Sequence, residues 1–381
     1  MKRVELPAFA AGFVAGGGRD IDTTRLTIDA VAGEHVQLVD PQTSDELGLA
    51  IVDLENARLR VMVTPADGLP RIDGALLGLR VERALAWRRQ LGLTGAYRLL
   101  HGAGDGLPGL SCDVLGDVAV VYAYADCLRA LGKQLAESIV GFARLTGAVV
   151  KLRAKGGADE VAQDVIGTVP ETLVADEAGA TYEIHPLAGL NHGLFTDMRE
   201  HRVQLARYAP AKRVLNLFSY TGALGLACAR AGAATVTNVD TSSGVQAWAS
   251  GNFTRNGCKA SFETGDAIRF LARAERDKER YDLVVIDPPS SSSARGTSWT
   301  TGRDYPDLIA QAAAVIPSGG ILWLAANTYE LGSLAKLAAK GLKQARRTAS
   351  IVEQGGLPPE YPTVAAQPSD RYLQVCVLRL D

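Results

Sequence analysis

Residues 281–290 read YDLVVIDPPS, in which a short apolar run ends in an acid and two prolines. The apolar run predicts a buried strand. Pro288 and Pro289 cannot continue a ladder of backbone hydrogen bonds, so they predict a rigid turn that presents the Asp287 carboxylate and the Pro288 carbonyl to a pocket. Such acceptors suit a planar base with an amino or ring N–H group. The alternative is a purely structural Asp-Pro-Pro turn.

This strand belongs to a series of strands and helices that alternate from Arg213 onward. The pattern predicts strands at 214–217, 235–239 and 281–286, with helices at 223–230 and 245–256. Successive βαβ units predict an α/β domain, in which a doubly wound parallel sheet carries helices on both faces. Ligands of such sheets bind at the carboxyl ends of the strands, so we expect the chemistry there.

The first predicted strand runs directly into a helix through a turn of the sequence Asn216-Leu217-Phe218-Ser219-Tyr220-Thr221-Gly222. A small residue lets a ligand approach the backbone, and N–H groups at a helix N-terminus favour a carboxylate. The competing interpretation is that the turn needs a small residue for its geometry alone. A dinucleotide oxidoreductase would carry Gly-x-Gly-x-x-Gly here, whereas the chain has only Gly222 and Gly225.

Acidic residues follow the next two strands. Asp240 lies about 20 residues after the glycine turn, where a carboxylate can accept both hydroxyls of a ribose. Asp266, within Gly265-Asp266-Ala267, is placed to bond an adenine amine. Either acid could instead cap the helix that follows it.

The chain before the sheet divides into two smaller regions. Short β-rich runs at 26–28, 35–39 and 59–63 predict an all-β module, and apolar residues at helical spacing predict an amphipathic linker helix at 73–91. Strands near 110–114, 118–124 and 148–152, with a helix at 128–145, predict a small α+β region. A hairpin is expected at 172–185.

Composition limits the classes of function. A chain of 381 residues suits two or three domains. The net charge of −2, with seven basic and twelve acidic residues through position 75, means that RNA binding must depend on a local patch. The five cysteines lie far apart and indicate neither a zinc site nor a disulfide framework. No long apolar run or signal sequence is recognisable, so we expect a cytoplasmic protein.

Two further motifs complete a family resemblance. They are His101-Gly102-x-x-Asp105-Gly106-Leu107-Pro108-Gly109-Leu110 and Gly193-Leu194-Phe195-x-Asp197-x-Arg199-x-x-Arg202. Together with residues 215–222 and Asp287-Pro288-Pro289, they make the chain similar to the bacterial 23S ribosomal RNA methyltransferases of class I. That resemblance implies a PUA-like β module at 1–70, a linker helix and α+β middle domain at 71–171, and a Rossmann-like methyltransferase domain at 172–381.

The resemblance also implies a cofactor, S-adenosyl-L-methionine (SAM), and a partner, RNA of the large ribosomal subunit, with no membrane and no metal. A homodimer is one state that the sequence leaves open. The implied cofactor-binding residues are Phe195, Asp197, Arg199, Asn216, Phe218, Ser219, Tyr220, Thr221, Gly222, Asp240, Thr241, Ser242, Asp266, Ala267 and Asp287. Arg199 and Arg202 could equally be exposed charges of a helix. The residues expected to act on the base are Asp287, Pro288 and Asn327.

One departure from the family concerns the nucleophile. Its 5-methylcytosine members carry a cysteine after the strand that corresponds to 321–325, because carbon 5 of a pyrimidine becomes nucleophilic only after a thiolate adds to the ring. Here that strand is followed by Ala326-Asn327-Thr328. A nitrogen target is therefore favoured over cytosine C5. Asn327 resembles the residue of the N7-methylguanine relatives, although asparagine is also an ordinary turn former.

Two other positions depart from the family. Ser291 replaces an aromatic residue expected after Asp-Pro-Pro, and Asn191-His192 replaces a Lys-Thr pair. Trp299 or Tyr305 could supply the missing surface for base stacking, although 290–302 could also be a plain loop. The alternatives are a methyltransferase for DNA or a small molecule, or a cofactor-binding RNA-binding module without activity.

Overall fold

A computed structural model describes residues 1–153, 163–294, 297–329 and 331–381. The chain divides into two compact units. The first comprises Met1–Glu177, Ile184–His192 and Pro359–Asp370, and the second comprises Ala178–Glu183, Gly193–Pro358 and Arg371–Asp381. No helix within the described ranges is long and apolar enough to cross a membrane.

A five-stranded sheet forms the N-terminal part of the first unit. Its strands are β1 (Lys2–Glu5), β2 (Asp20–Asp22), β3 (His35–Val39), β4 (Glu46–Asp53) and β5 (Arg58–Val63), in the order β1-β3-β4-β5-β2. Helix α1 (Ala8–Ala15) packs on this sheet through Ala10, Ala11 and Val14. The helix was not predicted, because its residues are all apolar or glycine and show no amphipathic period.

The predicted strand at 26–28 is absent. Leu26 instead closes a turn, in which its backbone N–H donates to the carbonyl of Thr23 at 2.9 Å. Leu26 and Ile28 still pack against the core of the module. The apolar side chains of the run are thus used for packing, whereas its backbone does not join the sheet.

A second five-stranded sheet follows in the first unit. Its strands are β6 (Ala96–His101), β7 (Leu110–Leu115), β8 (Val118–Ala123), β9 (Gly147–Leu152) and β10 (Gln163–Gly167), in the order β10-β9-β8-β7-β6. Helix α2 (Gly74–Gln90) matches the predicted linker helix and begins after Asp73, whose carboxylate accepts from the N–H groups of Ala75 and Leu76. Helix α3 (Arg129–Ala143) connects the parallel strands β8 and β9. Strands β11 (Leu173–Glu177) and β12 (Ala180–Ile184) form the predicted hairpin.

The second unit contains the predicted α/β sheet. Its strands are β13 (Arg213–Leu217), β14 (Thr235–Asp240), β15 (Ser261–Thr264), β16 (Leu283–Ile286), β19 (Ile321–Asn327), β20 (Ala349–Gly355) and β21 (Leu373–Leu380), in the order β15-β14-β13-β16-β19-β21-β20. The first five are parallel, and β21 runs antiparallel between β19 and β20. The α/β fold class is confirmed.

One helix, α4 (Arg199–Ala206), precedes β13, and the other helices of this unit connect strands of the sheet. They are α5 (Ala223–Arg230), α6 (Ser243–Arg255), α7 (Ala267–Arg276), α8 (Thr301–Ala314) and α9 (Leu334–Gln344). A plain loop was one interpretation of residues 290–302. The chain instead forms the short strands β17 (Ser291–Ala294) and β18 (Thr297–Thr300) before α8 begins. Residues 295–296 of that segment lie outside the described residues.

Strand register brings three strand ends together. Leu217 of β13 pairs with Val239 of β14 on one side and with Ile286 of β16 on the other. The residues that follow these three positions therefore emerge side by side, at the point where the strand order reverses. This is the edge at which doubly wound sheets bind ligands.

Candidate functional site

The turn that follows β13 has an unusual backbone. Phe218, Tyr220 and Gly222 adopt left-handed φ values of 56°, 47° and 80°. A left-handed conformation at a residue other than glycine costs about 1–3 kcal/mol and persists only where the surroundings enforce it. Here the Ser219 N–H donates to Val239 O at 3.0 Å, and the Thr221 hydroxyl donates to Gly193 O at 2.6 Å. The turn is therefore held in a defined shape at the site.

This turn leaves the N-terminus of α5 without a cap. Gly222 occupies the N-cap position, and among the described residues no side-chain cap bond is made to the first turn of the helix. The first N–H groups of a helix have no partner within the helix and attract an anion. This end of α5 fits the carboxylate of an amino-acid ligand.

Two residues of this segment, Asn216 and Thr221, have buried side chains that face the interior of the unit. The Asn216 side chain is fully buried, and its Nδ2 donates to Asn238 Oδ1 at 2.9 Å. A Cβ at Gly225 would lie 2.3 Å from the same oxygen, so this glycine makes room for the pair. Thr221 is also fully buried, and Asn252 Nδ2 donates to its carbonyl. These predicted site residues support the turn, while Phe218 and Tyr220 keep partly exposed side chains.

Asp240 ends β14 beside the turn. Its two carboxylate oxygens accept from the Tyr220 N–H at 3.0 Å and the Ser242 N–H at 3.1 Å. The N-cap of α6 is Ser242, whose Oγ accepts from Val245 N, so capping does not account for Asp240. The Asp240 side chain remains partly exposed, and each oxygen keeps acceptor capacity. The exposed Thr241 and Ser242 follow directly.

Asp266 caps helix α7, as the alternative interpretation of this residue expected. Its Oδ1 accepts from the Arg269 N–H at 2.9 Å at the start of α7, and its side chain is exposed. Ala267, the next residue, is buried. A capping bond occupies one oxygen of the carboxylate, so the other remains available to a ligand at the strand end.

Asp287 follows β16 and lies among charged groups of the α4 region. Burial of its carboxyl group, together with the charge of Asp197, raises the pKa of Asp287 to about 7, although the Arg202 guanidinium acts in the opposite direction. Asp197 is buried and accepts a hydrogen bond from the Tyr372 hydroxyl at 3.0 Å. Arg202 is also buried and donates to Phe195 O at 3.0 Å. Two carboxyl groups and a guanidinium thus converge beside the strand end.

Pro288 and its neighbours form a stiff turn. Among the residues that the structure describes, none donates a hydrogen bond to the Pro288 carbonyl, whereas the Pro289 carbonyl accepts from Trp299 Nε1 at 3.1 Å and from the Thr301 hydroxyl. Hydrogen bonds therefore hold the Pro289 carbonyl of this turn, whereas the Pro288 carbonyl keeps its acceptor capacity.

Arg199 lies at the start of α4 and makes a long ion pair of 3.5 Å with Glu200.

Two pairs of aromatic side chains lie near the strand ends. Phe195 is 44% exposed and lies 5.1 Å from Tyr220 between ring centroids, while Phe218 lies 6.2 Å from Trp299. Trp299 is partly exposed, so it presents a surface for stacking. Tyr305 is fully buried, and its hydroxyl donates to the Ala325 carbonyl at 2.7 Å and lies 3.0 Å from the Ile286 carbonyl, which excludes it as that surface. The Ser291 side chain lies outside the described residues.

The end of β19 contributes the exposed Asn327, which pairs in register with Leu373 of β21. This pairing places Tyr372 beside the site, where it contacts Asp197 and lies 5.5 Å from the ring of Tyr329. The sequence did not predict Tyr372, because its position depends on the antiparallel register of the last strand. Gln246 was also missed, and its Nε2 contacts Ser219 Oγ at 3.3 Å and Glu263 O at 3.2 Å.

The cysteines are all free thiols. Burial raises the pKa of Cys228 to about 12 and that of Cys376 to about 11, and the pKa of Cys112 rises further still. Burial and the nearby Asp53 raise the pKa of Cys127 to about 11. A raised pKa opposes formation of a nucleophilic thiolate. Within the described ranges, no group of three or more His, Cys, Asp or Glu side chains gathers in a way that could hold a metal ion.

Residues 97–374 match the family described as S-adenosylmethionine-dependent methyltransferase, which is 278 of the 381 residues. The chain is 30% identical over 338 residues to the ribosomal RNA large subunit methyltransferase I of Shewanella denitrificans, with 85% of each protein covered. The resemblance inferred from the motifs is confirmed.

Solved structures share the architecture. A proposed SAM-dependent methyltransferase from Streptococcus mutans gives a TM-score of 0.87 at 23% identity, covering 99% of this chain and 100% of the other. A proposed methyltransferase complexed with SAH gives a TM-score of 0.89 at the same identity and coverage. At this level of identity the likeness shows a common fold across nearly the whole chain.

Proposed function

Because the chain belongs to the S-adenosylmethionine-dependent methyltransferases, we propose that it methylates a nucleobase of large-subunit ribosomal RNA. SAM is the methyl donor of the family. The choice of substrate is supported by the relative from Shewanella denitrificans, whose name specifies large-subunit ribosomal RNA. We further propose the division into a PUA-like module at 1–70, a middle domain at 71–171 and a catalytic domain at 172–381, in a protein that works in the cytoplasm.

The residues at the strand ends fit the cofactor. In this proposal the uncapped N-terminus of α5 and the backbone of residues 218–222 hold the carboxylate of the methionine part. The Asp240 carboxylate accepts the ribose hydroxyls, and the free oxygen of Asp266 accepts from the adenine amine. Phe195, with Asp197 and Arg199 behind it, borders the same pocket. When bound, SAM supplies an electrophilic methyl group.

Asp287 is the residue on which the nucleobase assignment depends. Its carboxyl group and the Pro288 carbonyl form a pair of acceptors at the end of a central strand, on a turn that two prolines make stiff. An amino or ring N–H of the base donates to these acceptors, which fixes the base with its nitrogen lone pair directed at the methyl group. Positioning of this kind contributes several kcal/mol to lowering a barrier. Asn327 borders the base from the next strand end, and Trp299 provides a ring for stacking.

A nitrogen target is part of the proposal, because the strand ends provide no thiol for covalent catalysis. Residues 326–328, at the end of β19, are Ala, Asn and Thr, and Cys376 lies within the core of the sheet. Burial raises the pKa of Cys376 to about 11, which leaves it protonated at neutral pH. A nitrogen lone pair needs no such activation and can attack the methyl group directly.

Transfer of a radiolabelled methyl group from SAM tests the substrate class. The purified chain is incubated with total RNA, DNA or a small-molecule extract from cells that lack the gene. Label in large-subunit RNA, lost with Asp287→Ala, is the expected result. Label only in DNA or in the small-molecule fraction, or SAM binding without transfer to any substrate, would contradict the proposal and favour one of the alternatives.

A further inference from the structure

A cleft of about 290 Å³ lies within the first unit and gathers three guanidinium groups. Its lining includes Arg19, Arg80 and Arg83, with three glycines between them: Gly17, Gly104 and Gly106. Gly104 and Gly106 belong to the motif at 101–110 that helped to identify the family. We call this site the arginine cleft.

The three arginines share one carboxylate. Asp67 lies 2.7 Å from Arg80 Nη2, 3.5 Å from Arg83 Nη1 and 3.9 Å from Arg19 Nη2. Burial works to raise the pKa of Asp67, but hydrogen bonds from Arg80 and Thr64 lower it to about 2. Asp67 is therefore ionised at neutral pH, and it offsets one of the three positive charges.

The acid that lines the arginine cleft, Asp105, is already paired. Asp105 accepts from both terminal nitrogens of Arg88, at 2.6 and 2.8 Å, so these two charges offset each other. Burial lowers the pKa of Arg19, and the neighbouring Arg80 lowers it further, which shows that the cations are crowded. The arginine cleft thus keeps an excess of two positive charges, which an anion would complement.

Arg80 has a donor that the described protein does not satisfy. The Arg80 side chain is 5% exposed, and its buried Nε has no hydrogen-bond partner among the described residues. Gly106, with a left-handed φ of 77°, makes room for the Arg80 side chain, since a Cβ at Gly106 would lie 2.6 Å from Arg80 Nε. Arg83 differs, because 59% of its side chain is exposed and it can turn toward a ligand.

We propose that the arginine cleft binds a backbone phosphate of the RNA substrate, an inference that rests on the proposed function. Guanidinium groups form strong paired hydrogen bonds with phosphate oxygens, and glycines allow a phosphate to approach the backbone. Contacts with phosphates position a nucleic acid without reading its sequence. The arginine cleft is the local patch that a chain with a net charge of −2 needs to hold RNA.

Filter binding of deproteinised large-subunit ribosomal RNA over a series of KCl concentrations tests this role with the full chain. We expect Arg83→Ala to weaken binding about three- to tenfold near ~0.1 M salt, and to reduce the slope of log affinity against log salt by about 0.7–0.9. Arg83→Lys keeps the charge and should keep the slope. Arg89→Ala is the matched control, because Arg89 is exposed on the same helix but does not line the arginine cleft.

An unchanged slope in Arg83→Ala, or an equal loss in Arg89→Ala, would overturn the inference. Titration with inorganic phosphate separates RNA from a small anion. Phosphate binding that disappears in Arg83→Ala while the RNA slope stays the same would assign the cleft to a free anion and contradict the RNA role. Failure of the proposed function is recognised separately, as absence of methyl transfer to RNA by the unmodified chain.

Discussion

Asp240 and Asp287 lie at the ends of the two strands that flank β13, yet their surroundings differ. Asp240 accepts two backbone N–H groups and stays partly exposed, which orients both of its oxygens for hydroxyl donors. Asp287 lies beside a second acid, and burial raises its pKa to about 7. Two backbone donors orient the Asp240 carboxylate, whereas the Asp287 carboxyl group is buried beside a second acid. This difference supports the proposal that Asp240 binds the cofactor and Asp287 binds the base.

Asp240→Ala should weaken the affinity for SAM by about 1.5–3 kcal/mol, because a charged acceptor of hydrogen bonds is lost. Isothermal titration calorimetry measures the change. Asp277→Ala is the control, since Asp277 is exposed and pairs with the exposed Arg276 on the surface of the same unit. An affinity equal to that of the unmodified chain would remove Asp240 from the cofactor site.

Asp287→Ala should lower kcat about 100-fold or more and change the affinity for SAM by less than about 1 kcal/mol. This pattern is expected of an interaction made with the base in the transition state. Single-turnover methylation and calorimetry on the same preparation separate the two effects. Full turnover, or a loss confined to SAM binding, would show that Asp287 is structural or binds the cofactor.

The raised pKa of Asp287 also predicts how stability depends on pH. Between about pH 4 and pH 7 the folded chain holds a proton that the unfolded chain has lost, so the free energy of unfolding falls as the pH rises. Asp287→Asn removes this penalty. The variant should therefore gain thermal stability relative to the unmodified chain above pH 7 and gain little near pH 4. A difference in Tm that does not vary with pH would contradict the assignment of the raised pKa.

At the scale of the elements, the βα units were predictable because each is local in sequence. Helix α5 has the predicted bounds, and α6 begins two residues earlier than expected because Ser242 caps it. The shape of the turn between β13 and α5 was not predictable. Phe218 and Tyr220 have left-handed backbones that their residue types disfavour, and only contacts from other segments, such as Gly193, enforce them.

Gly225→Ala should disturb the turn between β13 and α5 through the buried asparagine pair that supports it. The new Cβ would lie 2.3 Å from Asn238 Oδ1 and push apart the Asn216–Asn238 pair that supports the turn. We expect a loss of about 1–3 kcal/mol in the free energy of unfolding, as for overpacking in a core, together with weaker SAM binding. Urea denaturation and calorimetry measure the two changes.

Gly251→Ala is the matched control for this substitution, because Gly251 lies within α6 and a Cβ there would meet no neighbouring side chain within 4 Å. Alanine there should leave SAM binding unchanged and raise stability by about 0.5–1 kcal/mol. Equal behaviour of the two variants would show that the asparagine pair does not support the site.

At the scale of the whole molecule, the sequence predicted the α/β sheet and most of its strand ends, but not the contacts between distant segments. Tyr372 reaches Asp197 across 175 residues of sequence, and no local pattern reports such a contact. The arginine cleft is similar, since Arg19, Arg80 and Gly106 come from separate segments of the first unit. Net charge excluded bulk attraction to RNA, while the location of the local patch became visible only in the fold.

The nature of the methylated atom tests the central claim most directly. Large-subunit ribosomal RNA from cells that lack the gene is incubated with the purified chain and SAM carrying a labelled methyl group, then digested to nucleosides and resolved by mass spectrometry. The account predicts label in one nucleoside that is methylated on a ring or exocyclic nitrogen. Label in a 5-methylpyrimidine, or a covalent adduct with RNA that contains 5-fluoropyrimidine, would contradict it, because either result requires a cysteine nucleophile.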